Sequence, residues 1–384
     1  MSLENDLLKL ESDGLLRKLR PVNSTGPLIS RGGNLLLNFS SNDYLGLANH
    51  PDLMKAAALA SQKYGTGATA SRLMSGDLEI HEELEAALAQ ICATPEALLF
   101  GSGFLANVGV LRSLVGRSDV IYADKLNHAS LIDGMRLSEA KTERYRHCDM
   151  NHLEDLLKKP GIQGQKLIVS DSVFSMDGDI APLRELRMLA SHYNALLVID
   201  EAHAVGIFGQ GGGLCREWGL TADLLQGTLS KAFGSYGGFS ACSKPMKQWL
   251  VNHARSFIYS TGLPAGVAAA SLSGAHWIKQ NPDAGSLLIK KAKNFRLKLV
   301  QSGFEIPDHG TQILPILIGD NHKTLEFSAA LENQGLLATA IRPPTVPIGT
   351  SRIRLSICLS HSSEQLDQAA EILVRTAKSC GVLS

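Results

Sequence analysis

What the chain lacks narrows its possible functions first. Neither charge is in excess: 37 lysines and arginines stand against 37 aspartates and glutamates. No global field therefore attracts nucleic acid or an anionic membrane surface, and an anionic ligand must be caught by local groups. The six cysteines, at 92, 148, 215, 242, 358 and 380, form no CxxC pair and no metal-ligand spacing. That excludes a disulfide framework and a zinc site by pattern, and predicts reduced thiols in a reducing compartment. No apolar run approaches the length of a membrane span. The first twenty residues alternate charge with leucine and lack the continuous apolar core of a signal peptide, so a cytoplasmic location is expected. The sequence has no GxxxxGK[ST] loop, so DEAH at 200–203, a string also found in helicases, does not mark an ATP site. GQGGG at 209–213 lacks dinucleotide-fingerprint spacing and has no strand directly before it; a mobile loop is expected. No internal repeat or low-complexity linker stands out.

What is present is a large apolar budget. The 384 residues are 44% hydrophobic and 19% charged, which suits two domains and a short arm. Through the middle of the chain apolar segments alternate with helical ones: a strand opens each of 96–111 and 119–134, TERYRH (142–147) and KLIVSDSVFSMDGDIAPL (166–183) give two more, and an apolar run opens 196–206, with a crossover helix over 182–193. Such repetition predicts a parallel sheet covered on both faces, with its site at the carboxyl ends of the strands. LLVIDEAHAVG, 196–206, delivers Asp200 and His203 to that edge. GTLSKAFGSYGG, 227–238, follows and presents Lys231 among glycines and hydroxyls on a tight turn, where an amine can act as a nucleophile.

Other stretches add candidates. In EALLFGSGFLANVGVL, 96–111, a strand, a glycine turn and a helix start make an anion site at the amides of Gly103 and Phe104. His128 lies between a strand and a helix in 119–134, with Asn127 or Ser130 as the expected helix cap. Asn42 and Asp43 suit an Asx-type turn after the strand that begins near 35. Leu7, Leu8, Leu10, Leu15 and Leu16 predict an N-terminal helix ending before Pro21, with Arg17, Lys18 and Arg20 in its last turn. Loop 65–77 is irregular and small-residue-rich. A helical stretch runs from 265 to 299. Beyond it TQILPILIG, HKTLEFSAALENQG, LLATAI and SSEQLDQAAEILVRTA predict strand, helix, strand and helix in an α+β layer. IRPPTVPIGTSRIRLSI, 341–357, carries Arg342, Thr345, Arg352 and Arg354, and the last two share one strand face.

Taken together, Asp200, His203 and Lys231, with SSNDYLGL and IRPPTVPIGTSRIRL, resemble the pyridoxal-phosphate enzymes of the aspartate-aminotransferase fold, and among them the α-oxoamine synthases. The resemblance covers nearly the whole chain. It implies an α/β fold: a large domain with a mostly parallel seven-stranded sheet covered by helices on both faces, and a smaller C-terminal α+β domain. The implied divisions are an arm over 1–48, a large cofactor domain over 49–278 and a small domain over 279–384. The implied cofactor is pyridoxal 5′-phosphate, held by Lys231 as an imine. Asp200 would pair with its ring nitrogen and His203 would reach its phenolic oxygen. His128 would stack on the ring and touch substrate, and Ser175 would be a further contact. Gly103, Phe104 and Thr228 would hold the phosphate, with Thr261 supplied by the partner of a homodimer with shared active sites. Arg17, Asn42, Thr345 and Arg354 would meet substrate, Arg354 taking the amino acid's carboxylate. The two strings are most similar to members that condense L-alanine with a pimeloyl thioester. Members that join glycine to acetyl-CoA or succinyl-CoA are the alternative. No metal is implied.

Overall fold

A computed structural model describes residues 2–161 and 163–383. The chain divides into two compact units, one of residues 47–174 and 180–286, the other of 1–46, 175–179 and 287–384.

The first unit is built on a seven-stranded sheet in the order Glu96–Phe100, Gly238–Cys242, Leu224–Thr228, Ala195–Asp200, Lys166–Asp171, Val120–Asp124, Lys141–Tyr145. Gly238–Cys242 runs antiparallel to both its neighbours, and the remaining pairs are parallel. Side chains alternate across a strand, and here both sets are buried. Leu98, Ile121, Leu167 and Val198 pack with Val110 and Leu111 of helix Gly103–Leu114 and with Leu131 and Met135 of helix Ala129–Leu137. Their alternates Leu99, Tyr122, Ile168 and Leu197 are buried too. Each such side chain contributes about 1.5–3 kcal/mol of burial. Four neighbouring strands end at their carboxyl edge in a polar residue: Asp124, Asp171, Asp200 and Thr228.

Next to this edge lies the run 209–213, which is a packed turn and not a mobile loop. A Cβ on Gly211 would come within 2.3 Å of Ile278, and one on Gly213 within 2.8 Å of Glu201. Glu201 holds the turn by accepting from the amides of Leu214 (3.1 Å) and Cys215 (2.8 Å) and from Ser172 Oγ (2.8 Å). The expected helical stretch over 265–299 is two helices, Ala265–Gln280 and Ala284–Gln301, parted where Pro282 cannot donate to the helical ladder.

The second unit carries two three-stranded sheets. LLATAI does not form one strand. Leu336–Leu337 pairs in parallel with Leu37 and Asn38, whereas Ala340–Ile341 pairs antiparallel with Ile353 and Arg352. The chain changes sheets at Ala338 and Thr339, whose backbone is taken by Ser328 Oγ (2.6 Å) and Ser40 Oγ (3.0 Å). The N-terminal helix spans Leu3–Ser12, shorter than its leucine spacing predicts. Gly14 adopts φ +64°, and the amides of Leu15 and Leu16 fold back onto Leu10 O, closing the helix. Arg17, Lys18 and Arg20 consequently lie beyond it and not in its last turn. Among the described residues no helix is long and apolar enough to cross a membrane.

Candidate active site

Lys231 lies in the turn between strands Leu224–Thr228 and Gly238–Cys242. Backbone bonds from Leu229 N to Gly237 O, Ser235 N to Leu229 O and Gly234 N to Lys231 O, each 3.0 Å, fix the turn. Gly234 has φ +66°, and a Cβ there would sit 2.5 Å from the carbonyl carbon of Leu47, so only glycine fits. The turn presents Lys231 Nζ 2.8 Å from His203 Nε2. His203 follows strand Ala195–Asp200 by three residues, which is why the two sequence strings meet.

Asp200 is 5% exposed. Its Oδ1 accepts from Ala202 N (2.8 Å) and its Oδ2 from Asn107 Nδ2 (2.6 Å). Asn107 Nδ2 also donates to Ser130 Oγ (2.8 Å), which lies 2.7 Å from His128 Nδ1. His128, and not Asn127 or Ser130, caps helix Ala129–Leu137: its ring accepts from the Ser130 amide at 3.2 Å. Burial holds the His128 imidazolium below its ordinary range; Asp200 opposes that shift and Lys231 reinforces it. Asp171, in register with Asp200 on the neighbouring strand, accepts from His128 N at 2.8 Å. Burial, and then the negative charge of Asp200, push its carboxyl well above the carboxylate range. Lys231, His203, Asp200 and His128 thus share one electrostatic neighbourhood at the carboxyl ends of the strands.

The helix that begins at Gly103 supplies the other half of this site. Ser102 Oγ caps it by accepting from Leu105 N at 3.2 Å, leaving the amides of Gly103 and Phe104 with no acceptor inside the helix. A Cβ on Gly103 would stand 3.3 Å from Thr228 Cβ, so strand end and helix start are nearly in contact. The Thr228 hydroxyl already spends its proton on Gly237 O at 3.0 Å and would have to rotate to serve an anion. Two open helical amides, a buried carboxylate and a lysine paired with histidine are what a phosphorylated, ring-nitrogen-bearing aldehyde needs. Pyridoxal phosphate therefore fits the residues present. Thr261 pairs with Ser71 in an isolated antiparallel bridge.

Ser175, Arg354 and Asn42 belong to the second unit. Arg354, 7% exposed, donates through Nε to Ser175 O (2.5 Å), through Nη1 to Ser356 Oγ (2.6 Å) and through Nη2 to Tyr44 Oη (3.1 Å). Tyr44 Oη in turn donates to Asn42 Oδ1 at 3.1 Å. Asn38 Oδ1 accepts from Ser40 N at 3.1 Å. Arg352, itself buried, pairs with the partly exposed Asp177. Arg17 Nη2 reaches Pro343 O and Thr345 Oγ1, both at 3.3 Å. Arg17 and Thr345 line a cavity of about 900 Å³ with Leu16, Leu325, Ile341 and Arg342.

Sequence reasoning missed Asn107, Tyr44 and Asp171. Asn107 had a signal, a polar residue on the apolar face of LANVGVL, since such a residue is rarely buried without a task. One metal-like cluster occurs among the described residues, Asp124, His147 and Cys148. Its carboxylate is occupied, Oδ1 accepting from Leu126 N (2.8 Å) and lying 2.9 Å from His147 Nδ1, and Oδ2 accepting from Cys148 N (2.8 Å).

Comparison with known proteins fits this geometry. The model of the aminotransferase class I and II family matches residues 35–373. An 8-amino-7-oxononanoate synthase of Trichlorobacter lovleyi is 44% identical over 387 residues, covering 99% of each chain. A solved serine palmitoyltransferase with pyridoxal phosphate as internal aldimine superposes with a TM-score of 0.94 at 28% identity, over 99% of this chain and 98% of that one. The 8-amino-7-oxononanoate synthase of Francisella tularensis superposes with a TM-score of 0.77 at 26% identity, over 90% and 98%.

Proposed function

The chain belongs to the aminotransferase class I and II family, and from that premise we propose that it carries out the 8-amino-7-oxononanoate synthase reaction of biotin biosynthesis. L-alanine and a pimeloyl thioester are joined, and 8-amino-7-oxononanoate, the thiol and carbon dioxide leave. The observation that carries this reading is full-length similarity at 44% identity together with a buried Asp200 and a Lys231–His203 pair at one sheet edge.

The cofactor is pyridoxal 5′-phosphate, which supplies an aldehyde that captures amines and a ring that accepts the electron pair left when a Cα bond breaks. Lys231 Nζ would hold the aldehyde carbon, take the Cα proton of alanine and later return one. Asp200 would keep the ring nitrogen protonated, its carboxylate fixed by Ala202 N and Asn107. His203 would meet the phenolic oxygen, and the amides of Gly103 and Phe104 with Thr228 would take the phosphate. His128, kept neutral by burial, would stack on the ring and donate toward the thioester oxygen as charge develops there. Arg354 would bind the carboxylate of alanine, with Asn42 and Ser175 beside it in sequence-matched roles. Arg17 and Thr345, 3.3 Å apart, would face the acyl substrate. Self-association is supported by exposed Leu73, Met74 and Tyr259 on the stretches 65–77 and 257–264, which a second copy would cover while contributing Thr261.

Purified protein tested with L-alanine or glycine against pimeloyl, acetyl and succinyl thioesters decides the substrate pair. Turnover of alanine with pimeloyl thioester is expected. Turnover of glycine with acetyl-CoA or succinyl-CoA alone would assign the chain to the alternative condensation, and sedimentation of a single-chain species at micromolar concentration would remove the shared-site dimer.

A further inference from the structure

We propose that Asn107 is a positioning residue that clamps the carboxylate of Asp200 and, through Ser130, the imidazole of His128, so that the partner of the ring nitrogen and the stacking ring are set together. This rests on the pyridoxal phosphate reading above. Asn107 is 2% exposed and lies on helix Gly103–Leu114 between the buried apolar residues Ala106 and Val110. Both hydrogens of its Nδ2 are used, one on Asp200 Oδ2 at 2.6 Å and one on Ser130 Oγ at 2.8 Å. Its Oδ1 is buried and has no donor among the described residues.

That orphan oxygen shows what sets the amide's orientation. A flip would turn the oxygen toward the Asp200 carboxylate at 2.6 Å, so the negative charge of Asp200 dictates which way the amide lies. Ser130 Oγ, already accepting from Asn107, has its own proton left for His128 Nδ1 at 2.7 Å. The Ser130 amide donates to the same nitrogen at 3.2 Å. Nδ1 is thus an acceptor twice over, and the ring proton of neutral His128 resides on Nε2. Without the Asn107 amide, Asp200 keeps only the Ala202 donor among the described residues, and the Ser130 hydroxyl is released to turn away from the imidazole.

The test uses full-length protein, ¹⁵N-labelled at histidine, without cofactor and after reconstitution with ¹⁵N-pyridoxal phosphate. Wild type should show His128 as the Nε2–H tautomer in both states and a protonated pyridine nitrogen. In Ser130→Ala the backbone amide of residue 130 still donates to Nδ1, so His128 should stay the Nε2–H tautomer with its Nδ1 signal shifted by loss of the hydroxyl bond, while pyridoxal phosphate affinity stays within about twofold. In Asn107→Leu both nitrogen signals should move, and the dissociation constant should rise about tenfold to a hundredfold, the scale of one charge-assisted hydrogen bond. A folded Asn107→Leu protein that loses thermal stability but keeps both wild-type signals would overturn the proposal. Should that variant not fold, Asn107→Ala decides: unchanged His128 and pyridine nitrogen signals overturn the clamp, and movement of both supports it. Failure of wild type to bind pyridoxal phosphate would defeat the proposed function alone, because the cofactor-free histidine signal still reports on Asn107 and Ser130.

Discussion

Replacing Arg354 probes substrate recognition most sharply. A guanidinium has five N–H donors, and Ser175 O, Ser356 Oγ and Tyr44 Oη engage one each on Nε, Nη1 and Nη2. One hydrogen remains on each terminal nitrogen, and two such N–H groups would serve the two oxygens of a carboxylate. Charge-assisted bonds contribute about 1.5–3 kcal/mol each, so losing two costs about 3–6 kcal/mol. In Arg354→Gln, kcat/KM for L-alanine should therefore fall between about a hundredfold and about ten-thousandfold. Arg354→Lys keeps the charge without the fork and should fall less. Steady-state kinetics with alanine varied at saturating pimeloyl thioester measures this, with the thioester's own KM and the bound-cofactor absorbance as controls for an intact fold. A loss under about threefold in Arg354→Gln would refute the assignment of this side chain to the substrate carboxylate.

Asp200→Asn should lower kcat by at least about a hundredfold, the scale on which one pre-positioned electrostatic partner acts, while cofactor absorbance is retained in part; undiminished turnover would contradict its role. Arg17→Ala should raise KM for the acyl thioester about tenfold or more by removing one charged contact, leaving KM for alanine unchanged. His361 supplies a pH test. Its Nδ1 accepts from Cys358 N at 3.1 Å and its Nε2 lies 3.0 Å from Asn38 O, so the neutral ring is fully paired. Burial, the leading cause, pushes its pKa down to about 4 from 6.5. The folded state therefore binds this proton less readily than the unfolded chain, and its contribution is complete above pH 6.5 and lost as pH falls toward 4. The whole effect is about 3 kcal/mol. Urea unfolding of wild type and His361→Gln across that window should show the extra slope only in wild type.

Legibility in the sequence followed how local the cause was. Strand–helix alternation and apolar runs such as LLVID announced the large sheet, because burial on both faces leaves a continuous signature in the residues themselves. Asp200, His203 and Lys231 were legible for the same reason: each follows the end of an apolar segment at a sheet edge. The end of the first helix was misread because leucine spacing continues past Gly14, whose left-handed backbone stops the helix regardless. LLATAI read as one strand since nothing within it says that its halves pair with Leu37 and with Ile353, partners hundreds of residues apart in one case. GQGGG suggested freedom, yet its glycines are required by close approach to Ile278 and Glu201, which only the folded chain brings near. Tyr44 and Asn107 escaped notice because their tasks are set by distant partners, Arg354 and Asp200.

The central claim concerns the amine of residue 231 and is open to direct measurement. Protein reconstituted with pyridoxal phosphate, reduced with borohydride, digested and mapped by mass spectrometry should carry the phosphopyridoxyl mass on the peptide containing Lys231. A map with that peptide unmodified, or with the label on another lysine, would contradict the account.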